Sequence, residues 1–193
     1  MSSRALDAAR ARPADITLLK AFGIILFAVA TAAGAQLRIP VPGTPVPITL
    51  QVLFAILAGT TLGARAGAAS QILCLVCGAS GLPFFAGGGF GLLYLGGPTG
   101  GYLLSFPLAA AAAGAFSGSG VFVARLAACS AAVFVIYACG ACWLALSLSL
   151  TPIEALEAGV LPFVLADAAK AVIAAGTGRA AMMIGSDKRA AWR

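Results

Sequence analysis

Long apolar runs alternate along this chain with short interruptions that are polar, proline-rich or glycine-rich. The runs fall at about 16–36, 48–64, 67–85, 99–116, 126–148 and 161–184. Each is close to the ~20 residues a helix needs to cross a bilayer. The pattern predicts an all-α membrane protein: a bundle of six transmembrane helices over 16–184, with polar tails at 1–15 and 185–193. The basic start and the "AGA" at 33–35 before Gln36 imitate a secretory signal with its cleavage site. Because the rest of the chain reads as membrane-embedded, the first run is expected to remain as an uncleaved span.

Two interruptions stand out. "RIPVPGTPVPITLQ" holds Pro40, Pro42, Pro45 and Pro47. Proline fixes φ and removes an N–H donor, so this stretch is expected to be a rigid extended loop or ribbon and not helix. "GLPFFAGGGFGLLYLGGPTGG" (81–101) is rich in glycine. It is expected to form a second irregular loop at the same end of the bundle.

Composition agrees with the apolar pattern. The chain is 61% hydrophobic and 9% charged, with 24 glycines; a soluble domain carries about 25% charged residues. Small residues let helices approach closely in lipid. Orientation follows from Lys and Arg near the span ends. Arg4, Arg10, Arg12, Lys20, Arg65, Arg125, Arg179, Lys188, Arg189 and Arg193 fall on one side; the other side has Arg38, with Glu154 and Glu157. Both termini are therefore expected in the cytoplasm. This bias accounts for the net charge of +6. Basic and aromatic residues do not interleave, so no nucleic-acid partner is implied.

Enzyme chemistry finds little support. Cys74/Cys77 and Cys139/Cys142 have the CxxC spacing of zinc sites, but they lie mid-span among Leu, Val and Ala, and the chain contains no histidine. They read as small packing residues, with no metal expected. "GGGFG" at 87–91 does not follow a strand and open a helix, as a dinucleotide fingerprint must. Lys20, Lys170 and Lys188 follow Leu, Ala and Asp, so no Walker A lysine is present. No Ser-His-Asp set exists, and Glu154 with Glu157 reads as a solvated turn in a loop. No cofactor is expected.

"LADAAK" is different. Asp167 and Lys170 sit three apart in an apolar run, on one helical face. Ionisable residues inside a span are rare and mark ligand sites or pathways. Asp167 falls about six residues into the last span, or ~9 Å, near the end that carries both unusual loops. A pocket open to the outside, floored by this pair and covered by the loops, is the expectation.

"IPVPGTPVPITLQVL", "GLPFFAGG", "GPTGGYLLSF" and "LADAAK", in this order, resemble the BioY family: the biotin-specific, substrate-capturing S components of energy-coupling factor transporters. The likeness runs from about Gln36 to Lys170. It implies a six-helix S-component fold, biotin binding, and residence in a prokaryotic cell membrane. It also implies partners: a transmembrane coupling protein and cytosolic ATPases, which would supply the energy that a chain without a Walker A loop cannot. The family's last-helix DxxK maps onto Asp167 and Lys170, and its first-loop motif onto Thr49 and Gln51. Phe85, Gly88 and Tyr94 are the implied contacts from the second loop, with Phe84 and Phe90 as further apolar walls. Where relatives place a polar residue such as asparagine after "GLPVF", this chain reads Ala86, Gly87, Gly88, Gly89. In the first helix, Ala28 and Ala32 form a small-xxx-small pair, read as a docking face for the coupling protein. A small ion- or proton-coupled transporter using Asp167 as a relay is the alternative. An intramembrane enzyme is disfavoured, since a single span contains an acid.

Overall fold

The structure, a computed structural model, describes residues 13–116 and 118–177, with side chains from Thr17 onward. The tail cations Arg4, Arg10, Arg12, Arg179, Lys188, Arg189 and Arg193, most of the first tail, the whole of the last and the end of the last expected span lie outside the described residues, while α1 begins at Pro13, within the expected first tail.

Each expected run contains a helix. The elements are α1 (Pro13–Gln36), β1 (Arg38–Ile39), β2 (Ile48–Thr49), α2 (Gln51–Leu62), α3 (Ala64–Ala79), α4 (Leu92–Leu95), α5 (Gly100–Ala115), α6 (Phe122–Leu148), α7 (Pro152–Gly159) and α8 (Val164–Thr177). Among the described residues, three stretches are long and apolar enough to cross a membrane: Thr17–Gln36, Phe122–Leu148 and Pro152–Thr177. Helices α2, α3 and α5 are apolar but have 12, 16 and 16 residues. At 1.5 Å per residue they reach roughly 18–24 Å, short of a ~30 Å hydrocarbon core. Irregular backbone at membrane depth is tolerated where it is buried in protein or lines a cavity. The chain entering α2 and the chain before α5 are irregular, and both contribute to the cavity described below.

The proline-rich stretch is a ribbon. β1 and β2 pair antiparallel, Arg38 opposite Thr49 and Ile39 opposite Ile48. The prolines at 40, 42, 45 and 47 lie between the paired residues, where no ladder donor is lost. At the other end of α2 a single residue, Gly63, joins it to α3 with φ 81° and ψ 170°. That conformation is open to glycine and costly for other residues.

Glycine and alanine set the packing. A Cβ on Gly59 would collide with the carbonyl of Ala110 in α5, and one on Gly114 with the backbone of Ala64 in α3. These helices therefore touch backbone to backbone, and van der Waals packing replaces the absent hydrophobic drive. Ala28 and Ala32 belong to the same scheme, which corrects the expected docking face. They are 1% and 6% exposed and pack with Cys74, Leu73 and Phe84. The face that α1 presents outward carries Phe22, Ile25, Leu26 and Val29 instead.

Two further expectations change. Glu154 and Glu157 lie in helix α7 and not in an irregular turn. Thr151 caps α7: its hydroxyl accepts from the Glu154 N–H while the Glu154 carboxylate accepts from the Thr151 N–H, with Pro152 at the first helical position. Threonine-x-x-glutamate with that proline is a readable helix start. Arg125, expected at a solvated turn, is buried in the first turn of α6. Its Nε donates to the Ala175 carbonyl at 2.8 Å and its Nη1 to that of Ser119 at 2.8 Å. Hydrogen bonds from a charged donor are stronger than neutral ones, and these two carbonyls complete the buried guanidinium.

Gly59→Ala is expected to lower the thermal unfolding midpoint in detergent by several degrees, because a methyl cannot fit against the Ala110 backbone. Gly176 has nothing within 4 Å of where its Cβ would stand, so Gly176→Ala should leave the midpoint unchanged or raise it by about 2–4 °C, alanine being preferred to glycine in a helix by ~1 kcal/mol. Equal midpoints for the two variants would contradict this packing.

Candidate functional site

Helix α8 brings Asp167 and Lys170 onto one face, and their side chains meet: Lys170 Nζ lies 2.7 Å from Asp167 Oδ1. Both are buried, at 4% and 7% exposure. Removing a charge from water costs several kcal/mol even after relaxation, and a pair survives only when further hydrogen bonds complete it. Those bonds are present. Lys170 Nζ also donates to the Thr49 carbonyl at 2.7 Å, and Tyr137 Oη donates to Asp167 Oδ2 at 2.8 Å. The pair thus connects α8 to the ribbon and to α6. An ammonium has three donors and a carboxylate about four acceptor sites. One Lys170 donor and further Asp167 lone pairs remain unspent.

The pair borders a partly open cavity of about 60 Å³. Its wall comes from several elements that are distant in sequence. Val46, Pro47, Ile48, Thr49, Gln51 and Val52 come from the ribbon and the start of α2; Ala86, Tyr94 and Thr99 come from the glycine-rich segment. Tyr102, Leu103 and Phe106 belong to α5, Ile136 and Tyr137 to α6, and Phe163 precedes α8. The wall is mostly apolar with a few convergent polar groups, the usual character of a small-molecule site.

Gln51 supplies the most telling polar group. It is 4% exposed. Its backbone N–H donates to Thr49 Oγ1 at 3.3 Å, and its Oε1 accepts from the same hydroxyl at 3.5 Å. Its Nε2 is buried without a hydrogen-bond partner. An unsatisfied buried donor costs about 1–3 kcal/mol, and this one lies on a residue of the cavity wall.

Of the residues singled out from the sequence, Asp167, Lys170, Thr49, Gln51 and Tyr94 line the cavity together. Phe85 does not. It is fully buried behind Tyr94, ring centroids 5.1 Å apart, with its ring over Gly78. Gly88 also stands outside the lining; its N–H donates to Gln36 Oε1 at 2.9 Å. Phe84 packs with Ala28 and Ala32, and Phe90 is 60% exposed. The loop reaches the cavity through Ala86, whose carbonyl accepts from Tyr94 Oη at 3.2 Å. The Arg38 guanidinium lies against neighbouring Gly87, where a Cβ would stand 2.7 Å from its Cζ.

Several wall residues escaped sequence reading. Tyr137 carries the direct bond to Asp167, and its signal was a lone phenol within an apolar span. Tyr102 donates to the Gly159 carbonyl at 2.8 Å, and its ring rests where Gly140 has no side chain. Among the cysteines, Cys74 and Cys129 are buried, Cys77 is half-buried, Cys139 and Cys142 are exposed on α6, and all are free thiols.

This chain resembles known proteins in sequence and fold. The BioY family model matches residues 8–186. A probable biotin transporter BioY of Pyrococcus horikoshii is 40% identical over 78% of this chain and 88% of its own length. The biotin transporter BioY of Rhizobium etli is 35% identical over 88% and 93%, and that of Thermotoga maritima 38% over 78% and 88%. A crystal structure of the S component for biotin from an ECF-type ABC transporter has the same fold, with a TM-score of 0.81 and 24% identity, over 88% of this chain and 93% of that one. With a family model spanning nearly all of its length and relatives alike over most of theirs, this chain belongs to the BioY family.

Proposed function

We propose that this protein captures biotin in the cavity and serves in its uptake as the S component of an energy-coupling factor transporter. One observation carries the reading. A completed buried ion pair with unspent donor and acceptor capacity stands in the same apolar wall as an orphaned amide donor. Biotin presents the complement: two ureido N–H donors, a ureido carbonyl and an apolar fused ring.

In this reading Asp167 accepts from the ureido N–H groups, while Lys170 and the Gln51 Nε2 donate to acceptors on the ligand. Tyr137 and the Thr49 carbonyl hold the pair so that its free valences face inward. Tyr94, Phe106, Ile136 and Phe163 enclose the thioether ring. The anionic tail points to the rim, toward Arg38. A proton relay at Asp167 would have to break the 2.7 Å contact with Lys170, which disfavours ion-coupled transport. The topology belongs to the same proposal: a multi-pass protein of a prokaryotic cell membrane, six crossings, both termini cytoplasmic, and the cavity open to the outside. Its partners are a transmembrane coupling protein and cytosolic ATPases.

Equilibrium binding of labelled biotin to the purified protein tests the site. Asp167→Asn is expected to raise Kd at least tenfold, since loss of a charged acceptor is worth about 1.5–3 kcal/mol and 1.4 kcal/mol is a factor of ten. Wild-type affinity in both Asp167→Asn and Lys170→Ala would make the pair purely structural.

Gln51→Leu should weaken biotin several-fold while leaving the ligand-free protein as stable as wild type or more so, because it removes an unpaired donor. Thermal unfolding beside the binding curve separates the effects. A destabilised variant with normal affinity would contradict the role.

Lys170→Met leaves the Asp167 carboxylate buried without its cation, at an expected cost of about 3–5 kcal/mol. The double variant Asp167→Leu/Lys170→Met should recover much of that stability without recovering binding. Denaturation of the three proteins in detergent measures it; a double variant no more stable than Lys170→Met would count against the pair.

A further inference from the structure

The glycine-rich segment lends Ala86 to the wall of the cavity, so its attachment to the bundle bears on how a ligand is held there. The segment from Phe84 to Gly89 is the element whose attachment is most specific. Within it, Gly87 and Gly88 both have positive φ, 68° and 76°. Phe85 N–H donates to the Gly89 carbonyl at 3.0 Å, closing a tight turn. Phe84 packs on Ala28 and Ala32 of α1, and among the described residues the turn's hydrogen bonds to α1 run through the Gln36 side chain. Its Oε1 accepts from the Gly88 N–H at 2.9 Å. Its Nε2 donates to the carbonyls of Pro83 at 3.1 Å and Phe85 at 3.2 Å, and also to that of Ala32 at 3.1 Å.

An amide has two N–H donors, so three carbonyls around one Nε2 share them, and only one orientation of the amide serves all four partners. The chain that Gln36 grips leads directly into Ala86, the loop's contribution to the cavity wall. The same turn of α1 holds the other covering segment: the Leu50 N–H donates to the Gly34 carbonyl at 3.1 Å, next to Thr49 and Gln51.

The geometry points to Gln36 as the positioning residue that holds the 84–89 turn closed over the cavity, and so sets how fast a bound ligand leaves. The ligand half of this statement rests on the biotin reading; the closure half does not. It also makes α1 the element through which a displacement would reach both covering segments at once.

The test uses the full-length purified protein as Gln36→Ala, Gln36→Met and Gln36→Glu. Methionine keeps the length of the side chain and removes its hydrogen bonds. Glutamate keeps an acceptor for Gly88 but sets a carboxylate against three carbonyl oxygens, so it should not rescue. Amide hydrogen exchange across 84–91, measured without ligand, is expected to quicken at least tenfold in the alanine and methionine variants. Release of labelled biotin should quicken at least fivefold, with thermal midpoints close to wild type. A plain helix-end cap would lower the midpoint and leave exchange in 84–91 unaltered, and that result overturns the proposal. Faster exchange with unaltered release also overturns it, because the turn would then be no barrier. Failure of the wild-type protein to bind biotin sinks the biotin reading, and exchange alone then decides the closure.

Discussion

A buried ion pair in an apolar bundle is expensive, and the contacts between Asp167 and Lys170 organise much of what surrounds it. The pair is tolerable only because Tyr137 and the Thr49 carbonyl complete it. Those two partners belong to α6 and to the proline-rich ribbon. Satisfying one pair of charges therefore fixes the relative positions of three separate parts of the chain. The cavity is the space these constraints leave among them.

That arrangement needs helices at close range and backbone that is not helical at membrane depth. Both follow from the high content of small residues. Gly59 and Gly114 allow α2, α3 and α5 to touch through their backbones, which van der Waals packing rewards in a lipid environment. Glycines at 87 and 88 take positive φ where the second loop turns back toward α1. Proline between β1 and β2 stiffens the other loop. Stiff covering segments reduce the ordering cost of binding, the general benefit of preorganisation.

Much of this was legible in the sequence. The apolar runs located the helices, and the prolines excluded helix between 38 and 49. Asp167 and Lys170 stood out because an apolar span has no other use for them. Facing was less legible. The small-xxx-small spacing of Ala28 and Ala32, with the family resemblance, reads as a docking seam, whereas contact with Cys74 and Phe84 places them inside. An aromatic run such as Phe84-Phe85 cannot reveal which ring plugs the core; only the space beside Gly78 decides that Phe85 does. Arg125 read only as part of the positive side, yet it is buried and bonded to the Ala175 and Ser119 carbonyls. Tyr137 depends on which face of a long helix meets Asp167, information that resides in tertiary packing. The α7 helix was missed although its capping signal was present, because the acidic residues dominated the reading.

Competition binding to the purified wild-type protein tests the central claim most directly, since that claim assigns recognition to the ureido group. Labelled biotin should bind saturably and be displaced by desthiobiotin, which keeps the ureido ring and lacks the sulfur. Lipoate, which has a sulfur ring and a similar acid tail but no ureido group, should fail to displace it. Displacement by lipoate as effective as by desthiobiotin would contradict the account, leaving the buried pair without a role in choosing the ligand.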